Sequence, residues 1–179
     1  MKVEYVKQNL DNLNENLARK CAQLYCQVWK EPPWCEDFWQ AEDVLANLKV
    51  ELAKPRALCW LATSARQEVI GFSWGYGVNR DDLTKISGNS QLAQSLNGTA
   101  ELFYVDELGV NIKKRQHGVG KRLTRQLIDY AANCGYSKII LRTDIRAIPA
   151  RTLYAHLGFK ELTVQDSAHQ TRNYWLLQM

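Results

Sequence analysis

Residues Glu101–Arg125 read ELFYVDELGVNIKKRQHGVGKRLTR. Glu101–Asn111 is a long strand candidate. Gly118–Cys134 then sets Val119, Leu123, Leu127, Tyr130 and Cys134 on one side of an amphipathic helix, with Gly135 as its stop. A helix starting at Gly118 leaves its first backbone N–H groups without intrahelical partners, at the positive end of the helix dipole. Gly118 and Gly120 remove side chains there, so an anion can reach the backbone. Lys113, Lys114, Arg115, Lys121, Arg122 and Arg125 surround that point with no acid among them. The segment therefore predicts a phosphate or pyrophosphate cradle. It is not a Walker A loop, because Arg115 stands where the first Gly belongs and Arg122 where Ser or Thr belongs. It is not a dinucleotide fingerprint either, because Leu123 replaces the third Gly.

The flanking sequence alternates strand and helix patterns. Residues 3–8 form a first strand candidate. From Asn14, Leu17, Cys21, Leu24 and Val28 make one helix face, and Pro32–Pro33 ends it. Phe38, Ala41, Leu45, Leu48 and Leu52 give a second helix, stopped by Pro55. Ala57–Thr63 reads as a buried strand. Glu68–Val78 alternates, with Ile70, Phe72, Trp74, Tyr76 and Val78 on one face, and the turn Ala65–Gln67 makes the two a hairpin. Asn79–Ala100 is polar and poorly patterned, with one weak helical stretch near Ser90–Leu96, and reads as a long excursion. Downstream, Lys138–Thr143 is a short buried strand. Pro149 opens a helix to about Leu157. Phe159–Gln165 and Thr171–Gln178 form a last hairpin. The order predicts one mixed α/β sheet covered by helices.

Composition bounds the rest. The 179 residues are 46% hydrophobic and 23% charged, which excludes disorder and coiled coil for the whole chain and predicts one domain, 1–179. The net charge is +4, yet the six basic residues of 113–125 leave the remainder near −2. No apolar run approaches a membrane span, and the N-terminus has no signal-peptide core. Five cysteines without a CxxC pair fit reduced thiols and a cytoplasmic location. Three histidines without close Cys or His partners argue against a metal site.

Val110–Leu123 (VNIKKRQHGVGKRL) resembles the signature of the GCN5-related N-acetyltransferases (GNAT), in which Arg or Gln, two residues, Gly, one residue and Gly or Ala wrap the pyrophosphate of acetyl-coenzyme A. Here those residues are Arg115, Gly118 and Gly120. The resemblance extends to Leu108 and Val110 and to ARTLYAHLGF (Ala150–Phe159). It implies a mixed, largely antiparallel sheet of about six to seven strands, helices on both faces and splayed central strands. It also implies that acetyl-coenzyme A lies along Leu108, Gly109 and Val110 and on Arg115, Gln116, His117, Gly118, Val119, Gly120 and Lys121. The 3′-phosphate would meet Lys113, Lys114 or Arg115.

Acetyl transfer to an amine needs a proton acceptor, because amines near pKa ~10 are mostly protonated at neutral pH. Glu101, Asp106 and Glu107 lie on the same strand. Glu107 stands where aminoglycoside 6′-N-acetyltransferases resemble this chain with a catalytic carboxylate; other members place theirs where this chain has Tyr104. Tyr154 matches the family tyrosine near the thioester sulfur and is the candidate acid for the leaving thiolate and a cofactor contact. The Val110 N–H would polarise the thioester carbonyl. Ala147 replaces a family Asn that contacts the cofactor, with Asp144 or Arg146 as substitutes.

On the acceptor side, the resemblance points to Lys30–Gln40, KEPPWCEDFWQ. Trp34, Glu36 and Phe38, with Trp74, Tyr76 and Glu107, are the candidate walls for a cationic amine on a small molecule or a peptide. The alternatives are a packed helix cap at these aromatics and, for the whole chain, a coenzyme A-binding or regulatory module without catalysis. A nucleic-acid partner is not expected, since the basic cluster lacks a recognition-helix arrangement; nor is a membrane partner. The last hairpin leaves a homodimer open.

Overall fold

The computed structural model describes residues 2–88, 90–96 and 101–179. Seven strands form one mixed sheet in the order β1-β2-β3-β4-β5-β7-β6. The chain groups into two compact units, Met1–Tyr76 with Asp106–Leu127, and Gly77–Val105 with Ile128–Met179.

The first unit begins with β1 (Val3–Gln8), α1 (Glu15–Trp29), α2 (Ala41–Leu52) and β2 (Leu58–Ser64). It also holds most of β3 (Val69–Asn79), the second half of β4 (Glu101–Val110) and the start of α5 (Val119–Asn133). Asn14 caps α1 by accepting from the Leu17 N–H, the residue type and place that start a helix. The predicted stripe of Leu17, Cys21, Leu24 and Val28 is buried, and Ala18, Ala22 and Tyr25 widen it. β1 runs antiparallel to β2 from Val3↔Ser64 to Gln8↔Cys59, and β2 runs antiparallel to β3.

Two expectations in this unit are corrected. α2 starts at Ala41, so Phe38 is not on its apolar face; it is 66% exposed. β3 does not have one wet face: every residue from Val69 to Val78 is buried, because both faces are covered. Small residues hide that in sequence, since Gly71, Ser73 and Gly75 are the positions an alternation reading assigns to solvent.

The second unit holds α3 (Arg80–Ser87), α4 (Gln91–Ser95), β5 (Lys138–Asp144), α6 (Ile148–His156), β6 (Lys160–Gln165) and β7 (Arg172–Gln178), with the first half of β4 and the end of α5. The excursion is therefore largely helical. Asn79 and Asp82 form a capping box that starts α3, and Gly88 ends it at φ 70°. The α3 end is tied down, because Ser167 donates from both its N–H and its hydroxyl to the Ser87 carbonyl. Part of the excursion, 89 and 97–100, lies outside the described residues. β4 runs parallel to β5 over Phe103–Val105 against Ile139–Leu141. That ladder is short compared with either strand, as splayed central strands require. β5 is antiparallel to β7 from Lys138↔Gln178 to Asp144↔Arg172.

Candidate active site

The chain leaves β4 through Asn111, whose N–H donates to the Ile70 carbonyl at 3.0 Å, and makes a single 3-10 turn at Ile112–Lys114. Gln116 (φ 62°) and Gly118 (φ 77°) then turn the backbone into α5. A Cβ at Gly118 would meet nothing, so the glycine is there for its dihedral angle. The first bond of the helix runs from the Arg122 N–H to the Gly118 carbonyl at 3.0 Å. The N–H groups of Val119, Gly120 and Lys121 precede it and have no carbonyl one turn back to bond. Gly71, which the sequence reading passed over, seats this turn: a Cβ there would lie 3.0 Å from Val119 and 3.1 Å from Leu123. Val119 and Leu123 pack with Ala62 and Ile70, so a rigid core backs the cradle.

The basic side chains divide. Arg115 points inward: its Nε donates to the Val110 carbonyl at 3.0 Å, and its guanidinium pairs with Glu31 of the α1–α2 loop. Arg122 lies over the Tyr5 ring, 5.0 Å from its centroid. Lys113 and Lys121 are exposed and Lys114 is half-buried. His117 sets Nδ1 2.7 Å from the Arg115 carbonyl, which places its proton on that nitrogen. Main-chain groups of 119–121 with the exposed lysines suit a diphosphate, and Arg115 stands beside them with its Nε and one terminal nitrogen bonded to Val110 and Glu31.

Glu107 lies on β4, three residues before Val110. Its main-chain carbonyl accepts from Ser73 Oγ at 2.8 Å. Its carboxylate Oε1 accepts from the Tyr25 hydroxyl at 3.0 Å. Sequence reasoning missed Tyr25, although its place on the buried face of α1 follows from the same periodicity as Cys21 and Val28. Burial, then the charge and hydrogen bond of Glu107, then Asp106 and Glu36, hold the Tyr25 phenol well above its ordinary value. Gly109 is needed beside Glu107, since a Cβ there would come within 2.3 Å of the Phe72 ring.

The acceptor candidates partly converge here. Trp74 is buried and stacks on Phe72 (5.2 Å) and Tyr25 (5.9 Å). Trp34 stacks on Trp29 at 5.5 Å, and Trp29 lies 4.8 Å from Tyr25. Glu36 accepts from the Trp39 indole N–H at 2.8 Å, and Trp39 meets Tyr25 edge-on at 5.4 Å. Phe38 packs on Trp39 at 5.2 Å. Tyr76 is buried, and Lys54 Nζ covers its ring at 3.8 Å. Lys30–Gln40 thus serves both as an aromatic helix cap and as the rim of a wall around Tyr25 and Glu107.

In the second unit Tyr154 is buried on α6, with its ring 5.9 Å from Phe159 and 6.5 Å from Trp175. The turn before α6 is self-contained. Arg146 donates to Asp144 from its N–H, Nε and guanidinium, and the Thr171 hydroxyl adds a bond at 2.7 Å. Those bonds, led by Arg146, hold the Asp144 carboxyl well below the usual range. Glu101 is exposed at the start of β4. No group of His, Cys, Asp and Glu among the described residues could hold a metal ion.

Comparison with known proteins agrees with this geometry. A profile of the acetyltransferase (GNAT) family matches residues 20–159. The chain belongs to that family. Human N-acetyltransferase 8 is 28% identical over 142 residues, which is 77% of this chain and 56% of the human protein. Rat N-acetyltransferase 8B is 31% identical over 102 residues, 57% of this chain and 39% of that one. The chain thus spans about half the length, or less, of these relatives. Among solved structures, the NatC complex bound to Gag peptide and CoA matches at TM-score 0.71 and 16% identity, covering 100% of this chain and 99% of that one. Arabidopsis thaliana NAA60 in complex with acetyl-CoA matches at 0.68 and 15% identity, covering 99% of each. At those identities the structures share the fold.

Proposed function

We propose that this chain, as one domain spanning 1–179, transfers the acetyl group of acetyl-coenzyme A to a primary amine of a small molecule or peptide, by direct attack in a ternary complex. The observation that carries the reading is the start of α5: a left-handed Gly118 followed by three N–H groups with no intrahelical partner, flanked by exposed lysines. Those N–H groups would receive the diphosphate. Lys113 and Lys114 are the candidates for the 3′-phosphate, and the main chain of Leu108, Gly109 and Val110 would take the pantetheine arm. A structure of NatC with peptide and CoA, and of NAA60 with acetyl-CoA, in the same fold supports both halves of the substrate pair. The five free thiols fit a reducing, cytoplasmic setting.

In this reading the amine nitrogen forms the bond to the acetyl carbon as the carbon–sulfur bond breaks. Glu107 takes the proton the amine gives up, and Tyr154 supplies one to the departing thiolate. The Val110 N–H polarises the carbonyl. The wall of Trp29, Trp34 and Trp39 with Glu36 and Glu107 favours a cation next to an aromatic surface. The Trp74 indole N–H is buried without a hydrogen-bond partner among the described residues, and through it Trp74 would meet an acceptor oxygen.

The test is thermal unfolding with acetyl-coenzyme A, adenosine diphosphate or duplex DNA, followed by thiol release across an amine panel. At a hundredfold excess over Kd, acetyl-coenzyme A should add about 2.7 kcal/mol, several degrees in Tm. Glu107→Gln should then cut kcat by about 10²–10⁴ while keeping that shift. Tyr154→Phe should lower kcat as well. A shift without thiol release from any amine would favour a binding module, and no shift would remove the proposal.

A further inference from the structure

Glu107 is held at both ends. Ser73 fixes its backbone carbonyl, and Tyr25 reaches its carboxylate from another element, 82 residues away in sequence. The Tyr25 side chain has little freedom. It is 5% exposed, and its ring is enclosed by Trp29 at 4.8 Å, Trp39 at 5.4 Å, Phe72 at 5.8 Å and Trp74 at 5.9 Å. Four aromatic neighbours spend a large apolar area on fixing one hydroxyl. Packing alone would be served by phenylalanine; the hydroxyl is buried and would need a partner, and its partner is the strand carboxylate proposed as the proton acceptor.

We infer that Tyr25 is a positioning residue of the acetyl transfer, whose hydroxyl fixes the orientation of the Glu107 carboxylate and favours its ionised form. The inference rests on the proposed role of Glu107 as proton acceptor. A hydroxyl that donates to a carboxylate stabilises the charge; burial among aromatic rings and nearby acids opposes it. The groups facing this pair are Asp106 on β4, Glu36 on the α1–α2 loop, and Cys21 on α1, whose thiol also meets Cys59 of β2. Asp106 and Glu36 are acidic, so the Tyr25 hydroxyl supplies the stabilisation that they withhold. Tyr25 itself stays protonated at neutral pH, which makes it a donor and not the base.

The first measurement needs no acceptor. The full chain, labelled with ¹³C at the glutamate carboxyls, is titrated by NMR; the resonance missing from Glu107→Gln identifies Glu107. Tyr25→Phe keeps the ring and removes the hydroxyl. The Glu107 midpoint should rise by about one to two pH units. Tyr174→Phe, which removes a phenol hydroxyl from Asp166 instead, should leave it close to the wild-type value. With an acetylated amine in hand, the acidic limb of kcat/KM should move up by the same amount in Tyr25→Phe, with the acetyl-coenzyme A shift in Tm intact. An unmoved midpoint overturns the inference, as does a limb that stays in place while Glu107→Gln is inactive. Wild-type turnover by Glu107→Gln overturns instead the reading of Glu107 as the base, and the catalytic role of Tyr25 with it.

Discussion

Arg115 shows how one side chain can brace a loop. The motif places an Arg where a phosphate contact is expected, yet the guanidinium bonds the Val110 carbonyl and Glu31. It joins the end of β4 to the α1–α2 loop. The pair is partly exposed, which limits its worth to about 0.5–1 kcal/mol. Arg115→Ala and Glu31→Ala should each lose about that much in urea unfolding, and the double variant no more than either single one. Additive losses, or a loss of acetyl-coenzyme A affinity confined to Arg115→Ala, would mean that the arginine works on the phosphates instead. The resemblance pointed to Glu107, three residues before Val110, with Asp106 and Glu101 as alternatives. Tyr25 was not legible in the sequence, because only strand register and helix rotation bring residues 82 apart into contact.

At the scale of elements, the β6–β7 hairpin depends on one acid. Asp166 is buried; Oδ2 accepts from Arg142 at 2.6 Å and from the Tyr174 hydroxyl at 2.8 Å, and Oδ1 accepts from the Ala168 and His169 N–H groups. Burial pushes its carboxyl up, and the bonds led by Arg142 outweigh that and hold it below the ordinary value. A depressed carboxyl contributes stability that is complete above the unfolded value, about pH 4, and is lost as pH falls through the folded one. Asp166→Asn should therefore cost about 3–5 kcal/mol at pH 7 and flatten the acid limb of the Tm–pH curve below about pH 4. An acid limb as steep as wild type would show that other carboxylates govern it. The hairpin turn itself was readable from Asp166–Gln170, whereas the buried ion pair was not. The α3 helix was not read at all, because the apolar pattern between 80 and 88 is weak and its capping box, Asn79 and Asp82, is two polar residues in a polar stretch.

Across the whole molecule the charge is lopsided. Six of the basic residues fall within 113–125, and the remainder is near −2. Lys113, Lys121 and Arg125 are exposed, so the cradle faces solvent as a cationic patch on a chain otherwise close to neutral. A polyanionic nucleotide should be steered to it. Raising ionic strength from about 0.05 to 0.5 M should slow acetyl-coenzyme A association several-fold with little change in dissociation. Lys113→Gln with Lys121→Gln should flatten that dependence in stopped-flow traces. A salt dependence unchanged in the double variant would move the steering charge elsewhere.

The family, the order of elements outside the 79–100 excursion, and the turn into α5 follow from residues close together in the chain. Periodicity, capping residues and a glycine at positive φ are local constraints, and a few neighbours suffice to express them. The tertiary structure alone decided that both faces of β3 are buried, that Arg115 turns inward, that Gly71 seats α5, and that Tyr25 meets Glu107. Each of those follows from how distant segments pack, because burial and side-chain partnership belong to a surface that no single segment owns.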